Sequence, residues 1–149
     1  MPFASFSASI TIQAAPEIVF AYISELTRHS EWASDPVHIV AISDGTVGVG
    51  SRYRSEAQSH GINFQTELMV TEYDPPLRFG FSGSDTTGKF SHEFNLTPQP
   101  GGTLLHRKIN FNATLFQWLT FMVVLYPVRI PSAKRTLQNL KQRLEQNST

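Results

Sequence analysis

Between Val37 and Asn112 the chain is a succession of strand-length runs separated by turn chemistry. Asp44-Gly45, Gly48 and Gly50 punctuate the first gap. His60-Gly61, Asp74-Pro75-Pro76 and Pro100-Gly101-Gly102 punctuate later ones. Proline cannot donate to a ladder and glycine accepts turn backbone, so each cluster ends a strand. The runs left between them are residues 37–42, 51–59, 62–73, 77–82, 90–96 and 103–111. Consecutive strands joined this tightly form an antiparallel meander.

The flanks complete the pattern. Phe6, Ala8, Ile10 and Ile12 alternate with Ser5, Ser7, Ser9 and Thr11, which predicts a half-buried first strand. Ala15-Pro16-Glu17 starts a helix, with proline where its missing N–H costs nothing and an acid near the positive end. Val19, Phe20, Ile23 and Leu26 share one side of it, and Ser30, Glu31 and Trp32 close a second short turn. The end of the chain is helical. Leu115, Trp118, Leu119, Met122, Val123 and Tyr126 form a three–four stripe, continued by Ile130, Ala133, Leu137, Leu140 and Leu144. Pro127 and Pro131 predict a kink or break between Tyr126 and Ser132. Lys134, Arg135, Lys141 and Arg143 mark a solvated face. The class is α+β, in one domain over residues 1–149.

Composition removes several functions. With 149 residues the chain can bury a real core, and 40% hydrophobic against 16% charged residues argues against disorder. The formal net charge is zero, so no global field recruits nucleic acid, and nucleic-acid binding is not expected. There is no cysteine, which excludes disulfides, thiolate nucleophiles and cysteine metal sites. His29, His38, His60 and His106 lack metal-ligand spacing, so neither a metal nor any other cofactor is expected. No GxSxG elbow or phosphate loop occurs. The opening MPFASFSASITI has no basic region and no continuous apolar core, so the expected location is cytoplasmic.

The joints between elements resemble those of the SRPBCC (START-like) superfamily, especially its polyketide cyclase/dehydrase-like branch. The segment from Ile10 to Phe20 looks like the family's opening strand and first helix, and Trp32 stands where a tryptophan usually precedes the second strand. Val49-Gly50-Ser51-Arg52-Tyr53 is similar to the glycine-led start of the third strand. Val70-Thr71-Glu72-Tyr73-Asp74-Pro75-Pro76-Leu77-Arg78-Phe79 is the most specific match, and Gly101-Gly102-Thr103 and Leu137 to Lys141 complete it. The resemblance implies a helix-grip fold. About seven antiparallel strands curve around a long C-terminal helix, two short helices lie between strands 1 and 2, and a cavity lies inside. It implies no single activity, since the superfamily includes lipid carriers, hormone receptors, cyclases and chaperone cofactors.

Strand alternation then nominates the pocket. Leu77, Phe79 and Phe81 share one face, as do Phe90, His92, Phe94 and Leu96. Leu105, Arg107, Ile109 and Phe111 share another, and Trp118, Met122 and Tyr126 approach from the helix. With Trp32, these give an aromatic-lined cavity with two polar groups, the usual composition of an apolar-ligand site. The same aromatics can equally be plain core. His92 is a candidate acid–base group or a hydrogen-bonded core histidine. Arg107 is a candidate for holding a ligand anion, for pairing with Glu67 or Glu93, or for snorkelling outward. No set of residues forms a recognisable catalytic constellation.

Phe116, Phe121, Val124, Leu125 and Val128 fall outside the core stripe, leaving the helix at 115–128 apolar nearly all round. A lid over the pocket is the first expectation, a dimer interface the second and a membrane-touching patch the last. The expected function is binding or transport of a hydrophobic small molecule (lipid, polyketide or isoprenoid-like) by a monomer or homodimer. A polyketide cyclase/dehydratase using the same cavity is the alternative. A protein–protein module acting through the apolar helix face is the third.

Overall fold

The serine-backed alternation at the start becomes strand β1 (Phe3–Ile12). The computed structural model describes residues 3–34, 36–59, 61–85, 88–112, 114, 116, 119, 123 and 126–147. After β1 come a helix at Pro16–Ile23, with proline in its first turn, and a 3-10 helix at Leu26–Glu31. The meander then follows as β2 (Val37–Ala41), β3 (Arg52–Ser59), β4 (Ile62–Asp74), β5 (Arg78–Asp85), β6 (Gly88–Gln99) and β7 (Gly102–Asn112). The C-terminal helix spans Tyr126–Asn147.

Every neighbouring strand pair is antiparallel, and the sheet order is β1-β7-β6-β5-β4-β3-β2. The meander thus returns to the first strand, with Ile12 opposite Thr103 at the closing seam. Gly102 is required there. A β-carbon on it would stand 2.3 Å from the Ile12 carbonyl oxygen, and Thr103 donates a buried 2.7 Å hydrogen bond to the Ala14 carbonyl beside it. This is the helix-grip fold, a curved sheet with the C-terminal helix and the short helices on its concave face.

The core forms where helix and sheet faces meet. Leu137, Leu140 and Leu144 of the C-terminal helix join Val19, Phe20 and Ile23 of the first helix, and Ile12, Leu96 and Leu105 of the sheet. Each fully buried side chain of this kind contributes about 1.5–3 kcal/mol. Ser34 pins the segment before β2 to the C-terminal helix, its amide donating to Thr136 Oγ1 (3.1 Å) and its hydroxyl lying 2.6 Å from that of Ser132. At the other end of that helix, Lys141 donates to the Thr11 carbonyl and Glu145 accepts the Gln13 amide.

Three expectations need correction. Leu77 lies in the turn before β5 and is exposed, because its amide closes that turn onto the Asp74 carbonyl. No break interrupts residues 126–132. The C-terminal helix runs on through Pro127 and Pro131, with Pro131 carried inside it on the exposed side. Leu119 and Val123, expected in the core stripe, are exposed, Val123 at 74%. Phe116, expected outside the stripe, is exposed at 79%.

Candidate ligand-binding site

The concave face of β5 and β6 carries the aromatics. A bulge in β4 between Val70 and Glu72 shifts the alternation by one residue. Tyr73 therefore turns inward, edge-on to Phe20 at 5.3 Å and to Phe79 at 6.4 Å. Phe79 in turn packs on Phe81 and Phe94, with ring centroids about 6 Å from each. Burial is complete at Phe79 and Phe94 and relaxes along β6, where Phe90 and His92 are half-buried. Opposite Phe90 on β5, Gly83 leaves room for its ring. A β-carbon there would lie 2.8 Å from Phe90 Cζ and 2.7 Å from Leu68 Cδ2.

The polar groups cluster on this aromatic floor. His92 stacks on Phe81 (4.7 Å, 12° between planes) and meets the edge of Phe90. Its Nδ1 lies 2.9 Å from Arg107 Nη2. A guanidinium can only donate, so Nδ1 accepts, which puts the proton of the neutral ring on Nε2. Arg107 comes from β7, directly opposite Phe94 on β6, and its guanidinium lies 5.4 Å from the Phe94 ring centre. It is only 6% exposed. Burial pulls its pKa down to about 10, so it stays charged at neutral pH.

Arg107 does not pair with the carboxylates expected for it. Glu67 is held by Arg52, and Glu93 lies on the outer face of β6, where it accepts from Asn110. Strand alternation keeps both away from the concave side. Among the described residues no carboxylate lies within ion-pair distance of Arg107, and its Nε is buried with no hydrogen-bond partner.

Two more orphaned polar atoms sit close by. Trp32, 1% exposed, packs edge-on to Phe94 at 6.5 Å, and its Nε1 is buried without a partner. The His29 ring meets Trp32 at 4.3 Å, and its Nδ1 is likewise buried and unpartnered. Burial, reinforced by the charge on Arg107, pulls the His29 pKa down to about 3 and keeps the ring neutral. Residue spacing alone sets His29 aside. The available signal is its place three residues before Trp32, since side chains at i and i+3 eclipse in a 3-10 helix.

The structure places Trp32, Phe79, Phe81, Phe90, His92, Phe94 and Arg107 near one another, with His29 beside Trp32. Trp118 and Met122 lie outside the described residues, and Tyr126 is described only as a helical residue.

The same chain matches the family model described as "Polyketide cyclase / dehydrase and lipid transport" over residues 4–145. The protein belongs to that family. Solved structures agree on the fold of this family member. An aromatase/cyclase, Zhui, from Streptomyces sp. R1128 superposes with a TM-score of 0.81 at 11% identity, covering 99% of this chain and 97% of the other. The protein TTHA0849 from Thermus thermophilus gives 0.80 at 19%, covering 98% and 100%. Ara h 8.0201 gives 0.68 at 16%, covering 96% and 98%. At such identities the likeness establishes the fold and no activity. No curated protein matches the family member in sequence. Among its described residues, no helix is long and apolar enough to cross a membrane.

Proposed function

We propose that this family member binds a hydrophobic small molecule, of lipid, polyketide or isoprenoid type, against the concave aromatic face. The observation that carries the reading is the gradient along β6. Phe94 is sealed, while Phe90 and His92, on the same face, are half-buried. A floor of rings with a few placed polar groups is the ordinary make-up of such a site. Transport or storage follows from binding alone. Native mass spectrometry of the purified protein, with organic extraction of whatever co-purifies, tests it. A stoichiometric apolar adduct is expected. A clean mass that takes up no apolar compound on titration would overturn it.

The Arg107–His92 contact favours a second reading, cyclisation or dehydration of a polyketide in the same place. An imidazole whose Nδ1 is held by Arg107 presents its Nε2–H as a donor, and a buried guanidinium stabilises an oxyanion. Here His92→Ala would abolish turnover of an added polyketide, while a carrier would keep its ligand.

A further inference from the structure

We propose that Arg107 is the anchor for an anionic oxygen, so that the ligand is an amphipathic acid whose carboxylate or enolate enters head first and whose apolar body lies along the half-buried end of β6 at Phe90. The proposal rests on the pocket reading above and adds the chemistry of the ligand's buried end.

Three donor-capable atoms carry it. Arg107 Nε, Trp32 Nε1 and His29 Nδ1 are buried without partners, and the first two belong to side chains packed on the same Phe94 ring. Buried polar groups in folded proteins are nearly always satisfied, so these orphans, two on the Phe94 ring and the third against Trp32, mark a place where a partner is missing. Two of the three can only donate, which specifies an acceptor. One of those carries a full positive charge with no described carboxylate in reach, which specifies an anion. The Nη2 contact to His92 fixes the guanidinium plane and leaves its Nε free. Phe90, half-buried and edge-on to His92, then begins the apolar wall on which the rest of the ligand lies.

Decanoate and 1-decanol form a matched probe pair, with slender chains that differ in the charged end. Isothermal titration at about pH 7.5, where the carboxylate is ionised, reads both. The wild-type protein is expected to bind the acid about 10- to 100-fold more tightly than the alcohol, the worth of one charge-assisted hydrogen bond. Arg107→Met should erase that ratio while leaving decanol affinity in place. Trp32→Phe, which removes the indole N–H and keeps a ring, should reduce the ratio by a smaller factor. Equal affinity of the wild type for both probes would overturn the anchor and leave the pocket standing. Failure of both probes to bind would overturn the pocket reading and the anchor with it. Thermal unfolding supplies a second readout. An arginine kept for a ligand costs the empty protein its desolvation, so Arg107→Met should hold or raise Tm. A lowered Tm with the acid-over-alcohol ratio intact would make Arg107 structural and overturn the proposal. If Arg107→Met does not fold, Trp32→Phe alone decides, an unchanged ratio counting against the anchor.

Discussion

Two arginine clusters in this molecule are built on opposite plans. On the outside, Glu31 of the 3-10 helix accepts from Arg28 Nε at 2.7 Å, from Arg143 of the C-terminal helix at 2.9 Å and from the Tyr22 hydroxyl at 3.2 Å. Three donors meet one carboxylate, and the two helices are clipped together. Inside, Arg107 has a histidine, a phenyl ring and no described carboxylate. The outer cluster is satisfied by the chain itself and stays half in water. The inner one is buried and, among the described residues, incomplete. Local completeness marks a structural role, and an expensive charge left unpaired in a dry place marks a surface meant for something else.

The strongest way to break this contrast is to remove what supports the inner cluster. Phe94 carries Arg107 on its face, touches Trp32 and packs against Phe79 and Phe81. Phe94→Ala should cost about 3–5 kcal/mol in urea unfolding, the range for a buried aromatic that leaves a cavity. A cost below about 1 kcal/mol would mean that the floor is loosely packed and that the orphaned atoms are not fixed by it.

Much of this arrangement is legible in the residues. Period two marks the strands, and the turn clusters mark where they stop, because both depend on local backbone chemistry. The inner face of β6 can be named from Phe94 and Leu96 alone. Arg107 can be placed on the concave side, but its lack of a carboxylate cannot be read, since Glu67 and Glu93 must first be assigned to faces of other strands. Tyr73 is lost to the β4 bulge, which moves it inward with no mark in the sequence. Leu77 departs from its expected face because a turn amide overrides strand alternation. Leu119 and Val123 fit the helical stripe by spacing, and spacing alone does not say which of its members a neighbour covers; both are exposed.

His29 gives the next largest effect. Its folded pKa of about 3 lies below its ordinary value of 6.5, so between these values the unfolded chain binds more protons than the folded one. Stability therefore rises with pH through that window: it is fully present above about pH 6.5 and is lost progressively as the pH falls toward 3. At about pH 5 the loss from this one residue is on the order of 2 kcal/mol. His29→Phe keeps a ring against Trp32 and removes the titrating nitrogen, so its Tm should fall less than that of the wild type between pH 7 and 5. Parallel pH profiles for the two proteins would show that the ring is hydrated and that the interior is wetter than its burial implies.

The smallest effect belongs to the outer clip, and it sharpens the comparison most. Hydrogen bonds from Arg28 and Arg143 hold the Glu31 carboxyl down at about 2, so whatever the clip contributes is present above about pH 4.5 and is lost as the pH falls toward 2, a window that opens and closes at lower pH than that of His29 and overlaps its acid half. Glu31→Gln should cost no more than about 1 kcal/mol at neutral pH, the usual worth of solvent-facing ion pairs. At about 1 M salt the screening length shrinks to about 3 Å, so the difference between Glu31→Gln and the wild type should nearly vanish. A charge enclosed by protein is screened far less. The acid-over-alcohol preference assigned to Arg107 should therefore survive the same salt series with little loss. Should salt erase both together, Arg107 would be exposed to solvent when the ligand binds, and the two clusters would differ in partners but not in environment.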